Sequence, residues 1–183
     1  ILLTIKQMYD INILGCGCMK ELYIDFDGVI LDTINEGYSR MKKLNLDPKS
    51  SDDCIKYFGN LNWNEFIKNT NEINDSISCI QKIIDSNRFR VSILTHINSL
   101  DEAIAKVNYI RKYFKDITII PVPKKISKTK LVHSEGSILV DDYAGNLREW
   151  EAAKGIGVRF STKRNGKGFL VVDKLDQILD LPI

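Results

Sequence analysis

The chain has 183 residues, 44% of them hydrophobic and 27% charged. That length suits one domain, or one domain carrying a small insertion, with ample apolar material for a core and no bias toward disorder. Lys and Arg number 26 against 24 Asp and Glu, a net charge of +2. The near-balance excludes the basic field that drives stable nucleic-acid binding, and no apolar run approaches the roughly 18 residues that a membrane helix requires.

Residues 1–18 stand apart from the rest of the chain. The segment begins at Ile1, lacks a basic stretch leading into a long apolar run, and so does not read as a signal peptide. Ile11, Ile13 and Leu14 fit at most an extra strand, and the expectation is a peripheral extension with the domain proper starting at Met19. The four cysteines, Cys16, Cys18, Cys54 and Cys79, form neither a dense disulfide framework nor a zinc-type spacing. They read as reduced, structural thiols of a cytoplasmic protein.

Leu22–Phe26 is a short apolar run that ends in carboxylates, Asp25-Phe26-Asp27-Gly28, as a buried parallel strand opening into a site would. Residues 34–74 then hold helical pieces with no strand, at 35–44, 52–58 and 63–68. They are expected to form a small helical cap over the carboxyl edge of the sheet. Tyr57, Phe58, Trp63 and Phe66 in that stretch suit either the cap's own core or a surface that stacks on a base.

From residue 75 onward helices and strands alternate. A helix over 75–86 carries Ile77, Ile80, Ile83 and Ile84 on one face, and a strand over 90–94 ends at Thr95-His96. Ser99 and Glu102 make a capping box for a helix running to about Phe114, with a stripe of Ile104, Val107, Ile110 and Phe114. The strand at 117–120 is expected to stop at Pro121 and Pro123. The strand at 137–140 ends, like the first, in carboxylates, Asp141-Asp142. A helix at 146–154 stopped by Gly155, strands at 157–160 and 169–172, and a last helix at 175–179 complete the chain.

Alternating strands and helices indicate an α/β fold with a parallel sheet of five or six strands. In such sheets ligands bind beyond the carboxyl ends of the strands, which is where Asp25, Asp27, Thr95, Asp141 and Asp142 fall. Four carboxylates at one edge repel one another and call for a cation. Hard oxygen donors of this kind select Mg²⁺. With a threonine and a lysine from the group Lys124, Lys125, Lys128 and Lys130, such an ion makes a site for a phosphate.

Asp25-Phe26-Asp27-Gly28-Val29, Thr95 at a strand end, a lysine before the next acidic strand, and Ile-Leu-Val-Asp141-Asp142, in that order, resemble the four motifs of the haloacid dehalogenase-like (HAD) phosphatases. The resemblance runs from Met19 to about Phe160. Asp141-Asp142-Tyr143-Ala144-Gly145-Asn146 through Trp150, followed by Glu-Ala-Ala-Lys-Gly-Ile-Gly-Val, is similar within that superfamily to the 5′-nucleotidase, deoxy (pyrimidine), cytosolic type C branch and its bacterial relatives. The chain has Lys154-Gly155 where that branch often has Gly-Gly.

The resemblance implies a three-layer Rossmann-like core formed by residues 19–33 and 75–183, with the cap of residues 34–74 inserted after the first strand. It implies a Mg²⁺-dependent phosphomonoester hydrolase. Asp25 would be the nucleophile that forms an aspartyl-phosphate, and Asp27 the general acid and base. Thr95 and Lys128 would bind the phosphate, with Lys130 the alternative lysine. Asp25, the main-chain carbonyl of Asp27 and Asp141 would hold the metal, with Asp142 a ligand through water or a partner of the ligands. The expected substrate is a small phosphorylated molecule, a (deoxy)nucleoside monophosphate by the narrower resemblance. Another small ester such as a sugar phosphate is the alternative, and a silent phosphate-binding module is a third reading. A polynucleotide 3′-phosphatase is disfavoured by the charge balance. His96 fits either a contact with the phosphate or leaving group or a solvated loop position. His133 reads as surface, Trp150 as packing, and Asn146 as a helix cap or a partner of Asp142.

Overall fold

A computed structural model describes residues 19–183, so expectations for residues 1–18 fall outside the described residues. The described chain runs β1 (Lys20–Ile24), α1 (Thr33–Lys43), α2 (Ser51–Gly59), α3 (Trp63–Lys68), α4 (Ser76–Asp85), β2 (Phe89–Ile97), α5 (Leu100–Arg111), β3 (Thr118–Pro123), a 3₁₀ turn (Lys128–Lys130), β4 (Ile138–Asp141), α6 (Ala144–Ala152), β5 (Ile156–Phe160), β6 (Leu170–Val172) and a closing 3₁₀ segment (Leu175–Asp180). The strands form one six-stranded sheet in the order β3-β2-β1-β4-β5-β6. Every neighbouring pair is parallel, with Ile24 opposite Ile93 on one side and Val140 on the other.

Alternation along the strands sorts side chains onto two faces. Leu22 and Ile24 of β1, Val91 and Ile93 of β2, and Ile138 and Val140 of β4 enter the larger core, which α4 covers with Cys79, Ile80 and Ile83 and α5 with Tyr109 and Ile110. Tyr23, Leu94 and Leu139 point the other way, where α6 contributes Leu147 and Trp150. The result is a three-layer Rossmann-like α/β fold. Trp150 is fully buried, edge-on to Tyr23 with ring centres 5.4 Å apart, and its indole N–H donates to the Ser137 carbonyl at 3.2 Å.

Helices α1 to α3 follow β1 with no intervening strand. The chain leaves and re-enters the core through a two-stranded neck. Asp32 N–H donates to the Asn71 carbonyl at 2.9 Å and Ile73 N–H to the Ile30 carbonyl at 3.0 Å, with Leu31 bridged to Glu72. Within the insertion Trp63 is 5% exposed and Phe66 fully buried, and Trp63 stacks on Phe58 at 6.0 Å.

Two local expectations give way. Pro121 does not stop β3 but lies inside it, and the strand ends at Pro123; β3 is an edge strand, where a missing N–H group is tolerated. The face that α5 buries consists of Glu102, Ala103, Ala105, Lys106, Tyr109 and Ile110, whereas Ile104 is exposed. The helix is rotated from the purely apolar stripe because two charged residues face inward.

Candidate active site at the carboxyl edge of the sheet

β1 ends at Ile24, and the next residue stays tied to the sheet through Asp25 N–H donating to the Val140 carbonyl at 2.9 Å. The chain then turns sharply. Ile30 N–H donates to the Phe26 carbonyl at 2.9 Å and Gly28 N–H to the Leu31 carbonyl at 2.8 Å. Gly28 sits at φ +69°, and a Cβ there would lie 2.6 Å from Asp142 Oδ2. Glycine is therefore required twice over, for the backbone conformation and for the close approach of the two loops.

Because Ile24 pairs with Val140, the residues just beyond them, Asp25 and Asp141, come side by side. Carboxylate oxygens of Asp25, Asp141 and Asp142 lie within 4.8 Å of one another. Lys128 is buried against two of them, with Nζ 2.7 Å from Asp141 Oδ2 and 3.0 Å from Asp25 Oδ1. The contact with Asp25 is an ion pair without hydrogen-bond geometry, so Asp25 Oδ1 has no hydrogen-bond donor. Burial by itself would lower the Lys128 pKa, but Asp141 and Asp25 outweigh it and hold the ammonium above its usual range. Lys130, the other candidate lysine, is exposed.

Asp141 is further held by Asn146 Nδ2 on Oδ2 at 2.8 Å and by Tyr143 N–H on Oδ1 at 2.8 Å. Asn146 thus serves Asp141, not Asp142, and it is not the helix cap, a position that Tyr143 occupies. Asp142 carries the cost of the crowding. Burial first, then the charges of Asp141, Asp25 and Asp27, push its carboxyl up to about 8. Uncompensated negative charge, three closely spaced carboxylates and hard oxygen donors fit a divalent cation at this point.

Asp27 points to the other side of the turn. Thr33 Oγ1, at the start of α1, donates to Oδ1 at 2.8 Å, and Lys106 Nζ reaches Oδ2 at 2.5 Å. Lys106 is the site residue that the motifs do not single out. It is 1% exposed, and its ammonium also lies 2.7 Å from Glu102 Oε1, 3.2 Å from Thr95 Oγ1 and 2.8 Å from the His96 carbonyl. Burial would lower its pKa, yet Asp27 and Glu102 raise it overall, so it stays charged. The signal for it was present as a Glu-Lys pair at i, i+4 on a helix following Thr95.

Thr95, fully buried at the end of β2, is thereby linked to Asp27 through a single ammonium. His96 Nε2 donates to the Ile126 carbonyl at 3.0 Å, and burial followed by the nearby Lys128 charge lowers its pKa. Asp25, Lys128, Asp141 and Asp142 thus form one cluster, while Asp27, Thr95, Lys106 and Glu102 form a second beside it.

No family model matches the chain, and no curated protein matches it in sequence. Solved structures do match in fold. A HAD-superfamily hydrolase of subfamily IA, variant 1, from Geobacter sulfurreducens superposes with a TM-score of 0.60 at 14% identity, over 89% of this chain and 99% of that one. A conserved haloacid dehalogenase-like protein of unknown function from Agrobacterium tumefaciens gives 0.60 at 10% identity, over 88% and 96%. A predicted phosphoglycolate phosphatase from Haemophilus somnus gives 0.50 at 11% identity, over 91% and 99%. The fold is that of the HAD-superfamily hydrolases.

Proposed function

We propose that this protein is a Mg²⁺-dependent phosphomonoesterase acting on a small phosphate ester. The observation that carries the reading is the placement of Asp25. Its buried Oδ1 has no hydrogen-bond donor, a lysine lies 3.0 Å away, and two further carboxylates complete a cation site. A bound Mg²⁺, held by Asp25, Asp141, Asp142 and the main-chain carbonyl of Asp27, would offset the repulsion between the carboxylate and an incoming phosphate.

The chain's own groups supply the rest. Asp25 attacks phosphorus, the bond to the leaving oxygen breaks, and Asp27 delivers a proton to that oxygen. Asp27 then takes a proton from water, whose oxygen attacks phosphorus and frees Asp25 and inorganic phosphate. Lys128 and Thr95 bind the phosphoryl oxygens and stabilise the charge that develops on them.

The insertion of residues 34–74 acts in this reading as a cap that bears on the leaving group. The 5′-nucleotidase branch requires a surface for the base. Trp63 and Phe66 are buried in the main core, Trp63 with its ring centre 5.8 Å from Lys106 Nζ, leaving half-buried Tyr57 and Phe58 and the exposed Tyr143 next to Asp142. A nucleotide is therefore the second reading, and a smaller polar ester the first.

A screen of nucleotides, sugar phosphates and short alkyl phosphates with and without Mg²⁺ tests the activity, with Asp25→Asn as control. The amide preserves the volume of the carboxylate but cannot form the acyl phosphate, so turnover should vanish while the circular dichroism spectrum is retained. Turnover by Asp25→Asn comparable to that of the parent protein rejects Asp25 as nucleophile.

A further inference from the structure

A second cleft adjoins the catalytic cluster, on the side of Asp142 away from Thr95. It has a volume of about 370 Å³ and lies between the turn at Gly28, the neck of the insertion at Asn71 and Asn74, the end of β5 at Arg159, and the loop that leaves it at Lys163. None of the sequence motifs reaches this loop. Two observations mark the cleft as a binding site. Arg159 Nε and Nη1 are buried without a hydrogen-bond acceptor. Neither Arg159 nor Lys163 takes part in an ion pair among the described residues, although the chain satisfies most of its other buried charges.

A guanidinium with unpaired inward donors is costly to keep unless an anion comes to it. The acids that share the cleft do not fill that need. Asp32 Oδ1 accepts from Asn35 at 2.8 Å, and Glu72 Oε1 accepts from Ile77 N–H at 2.7 Å. Asp142 faces the carboxylates of the catalytic cluster. The remaining walls offer neutral hydrogen-bonding groups, the amides of Asn71 and Asn74 and the hydroxyls of Ser161 and Thr162, and few apolar side chains. Such a lining suits a short, hydrophilic and charged fragment, and the one ring in it, Phe160, is 2% exposed and presents no open face to a nucleobase.

We infer that this cleft receives a second anionic group carried on the alcohol portion of the substrate, a carboxylate or a second phosphate, with Arg159 as its main contact and Lys163 beside it. The inference rests on the phosphomonoesterase reading and names the substrate class of that site. Arg159 is the residue opposite Asp141 in the β4–β5 register, so the strand that follows the catalytic one fixes the distance between the scissile phosphate and the second charge. Esters long enough to bridge the two positions are accepted, and those whose second charge is missing lose the contact.

The test compares matched esters: 2-phosphoglycolate with ethyl phosphate, which differ by a carboxylate, and 1,3-propanediol bisphosphate with propyl phosphate, which differ by a phosphate. Each is assayed with Mg²⁺ on the parent protein and on Arg159→Met and Lys163→Met. The expected result is a kcat/KM preference for the charged member of at least one pair, and a fall in that preference of roughly tenfold or more in Arg159→Met, as for loss of a hydrogen bond to a charged group. The fall should appear mainly in KM. The pair that shows it identifies the anion as carboxylate or phosphate. Should Arg159→Met fold poorly, Arg159→Lys keeps the charge while losing the planar fork and gives an intermediate preference. Turnover of all four esters without preference for the charged member, or equal losses on both members in Arg159→Met, overturns the second-anion cleft and leaves the phosphatase reading standing. Absence of Mg²⁺-dependent turnover of every ester and nucleotide overturns both.

Discussion

Lys106 shows how much one buried side chain can tie together. Its ammonium joins Asp27, Glu102, Thr95 and the His96 carbonyl. Removing it leaves Glu102, 2% exposed, as a buried carboxylate without a counter-charge, held only by the two N–H donors of Asn98 on Oε2. Lys106→Met should therefore cost about 3–5 kcal/mol of stability in urea titrations, and adding Glu102→Gln should return much of it. A double variant as unstable as Lys106→Met would show that the ion pair is not the source of the loss. Asp142 makes a second prediction. Its carboxyl is raised to about 8 in the fold, against about 4 in the unfolded chain. The folded state holds a proton that the unfolded state has lost, so stability of the metal-free protein should fall as pH rises through that window. A divalent cation displaces the same proton. Mg²⁺ should accordingly raise Tm by several degrees more at pH 8 than at pH 5.5, a difference that Asp142→Asn removes. Equal Tm gains at both pH values would contradict this. The acids at strand ends were legible in the sequence because a carboxylate closing a buried apolar run is costly to desolvate and stands there chiefly where a site uses it. Lys106 was not, since a lysine four residues from a glutamate on a helix has the appearance of a surface pair until the helix is seen to turn it inward.

At the level of elements, periodicity located the strands and helices, but neighbours decided their faces. Helix α5 has apolar residues at Ile104 and Val107 that suit a stripe, yet it exposes Ile104 so that Glu102 and Lys106 can meet the site. Pro121 looks like a terminator when read locally and is harmless once the strand lies at an edge, so that β3 runs on to Pro123. The insertion of α1 to α3 was visible as a run of helices without a strand. Its aromatics left two roles open, and packing buries Trp63 and Phe66 in the main core, with Trp63 stacked on Phe58, edge-on to Phe66 at 5.7 Å and 5.8 Å from Lys106 Nζ. Trp63→Ala should then destabilise the protein by about 3–5 kcal/mol, the usual range for truncating a buried aromatic. KM for a nucleotide should move no more than KM for an alkyl phosphate. A selective rise for the nucleotide, with stability unchanged, would return Trp63 to a base-stacking role.

Taken as a whole, the molecule places β1, the first strand of the described chain, in the interior of the sheet between β2 and β4. The partner of Ile24 on its second side is Val140, well over a hundred residues further along. During synthesis at roughly 5–20 residues per second, the strand that bears Asp25 waits on the order of ten seconds for that partner. Its apolar residues and one row of backbone donors and acceptors stay unpaired meanwhile, which is the form of edge most prone to pairing with another chain. Pairing at such separation also makes closure of the sheet slow relative to helix formation. Refolding from urea should accordingly recover helical circular dichroism before it recovers the near-ultraviolet signal of Trp150, which is lodged behind β1 and β4 against Tyr23. Simultaneous recovery of both signals would argue against this order. Nascent chains stalled ahead of β4 should be the species that a chaperone retains, because the same central position that surrounds Asp25 with the rest of the site leaves its strand half-covered until the ribosome has passed Val140.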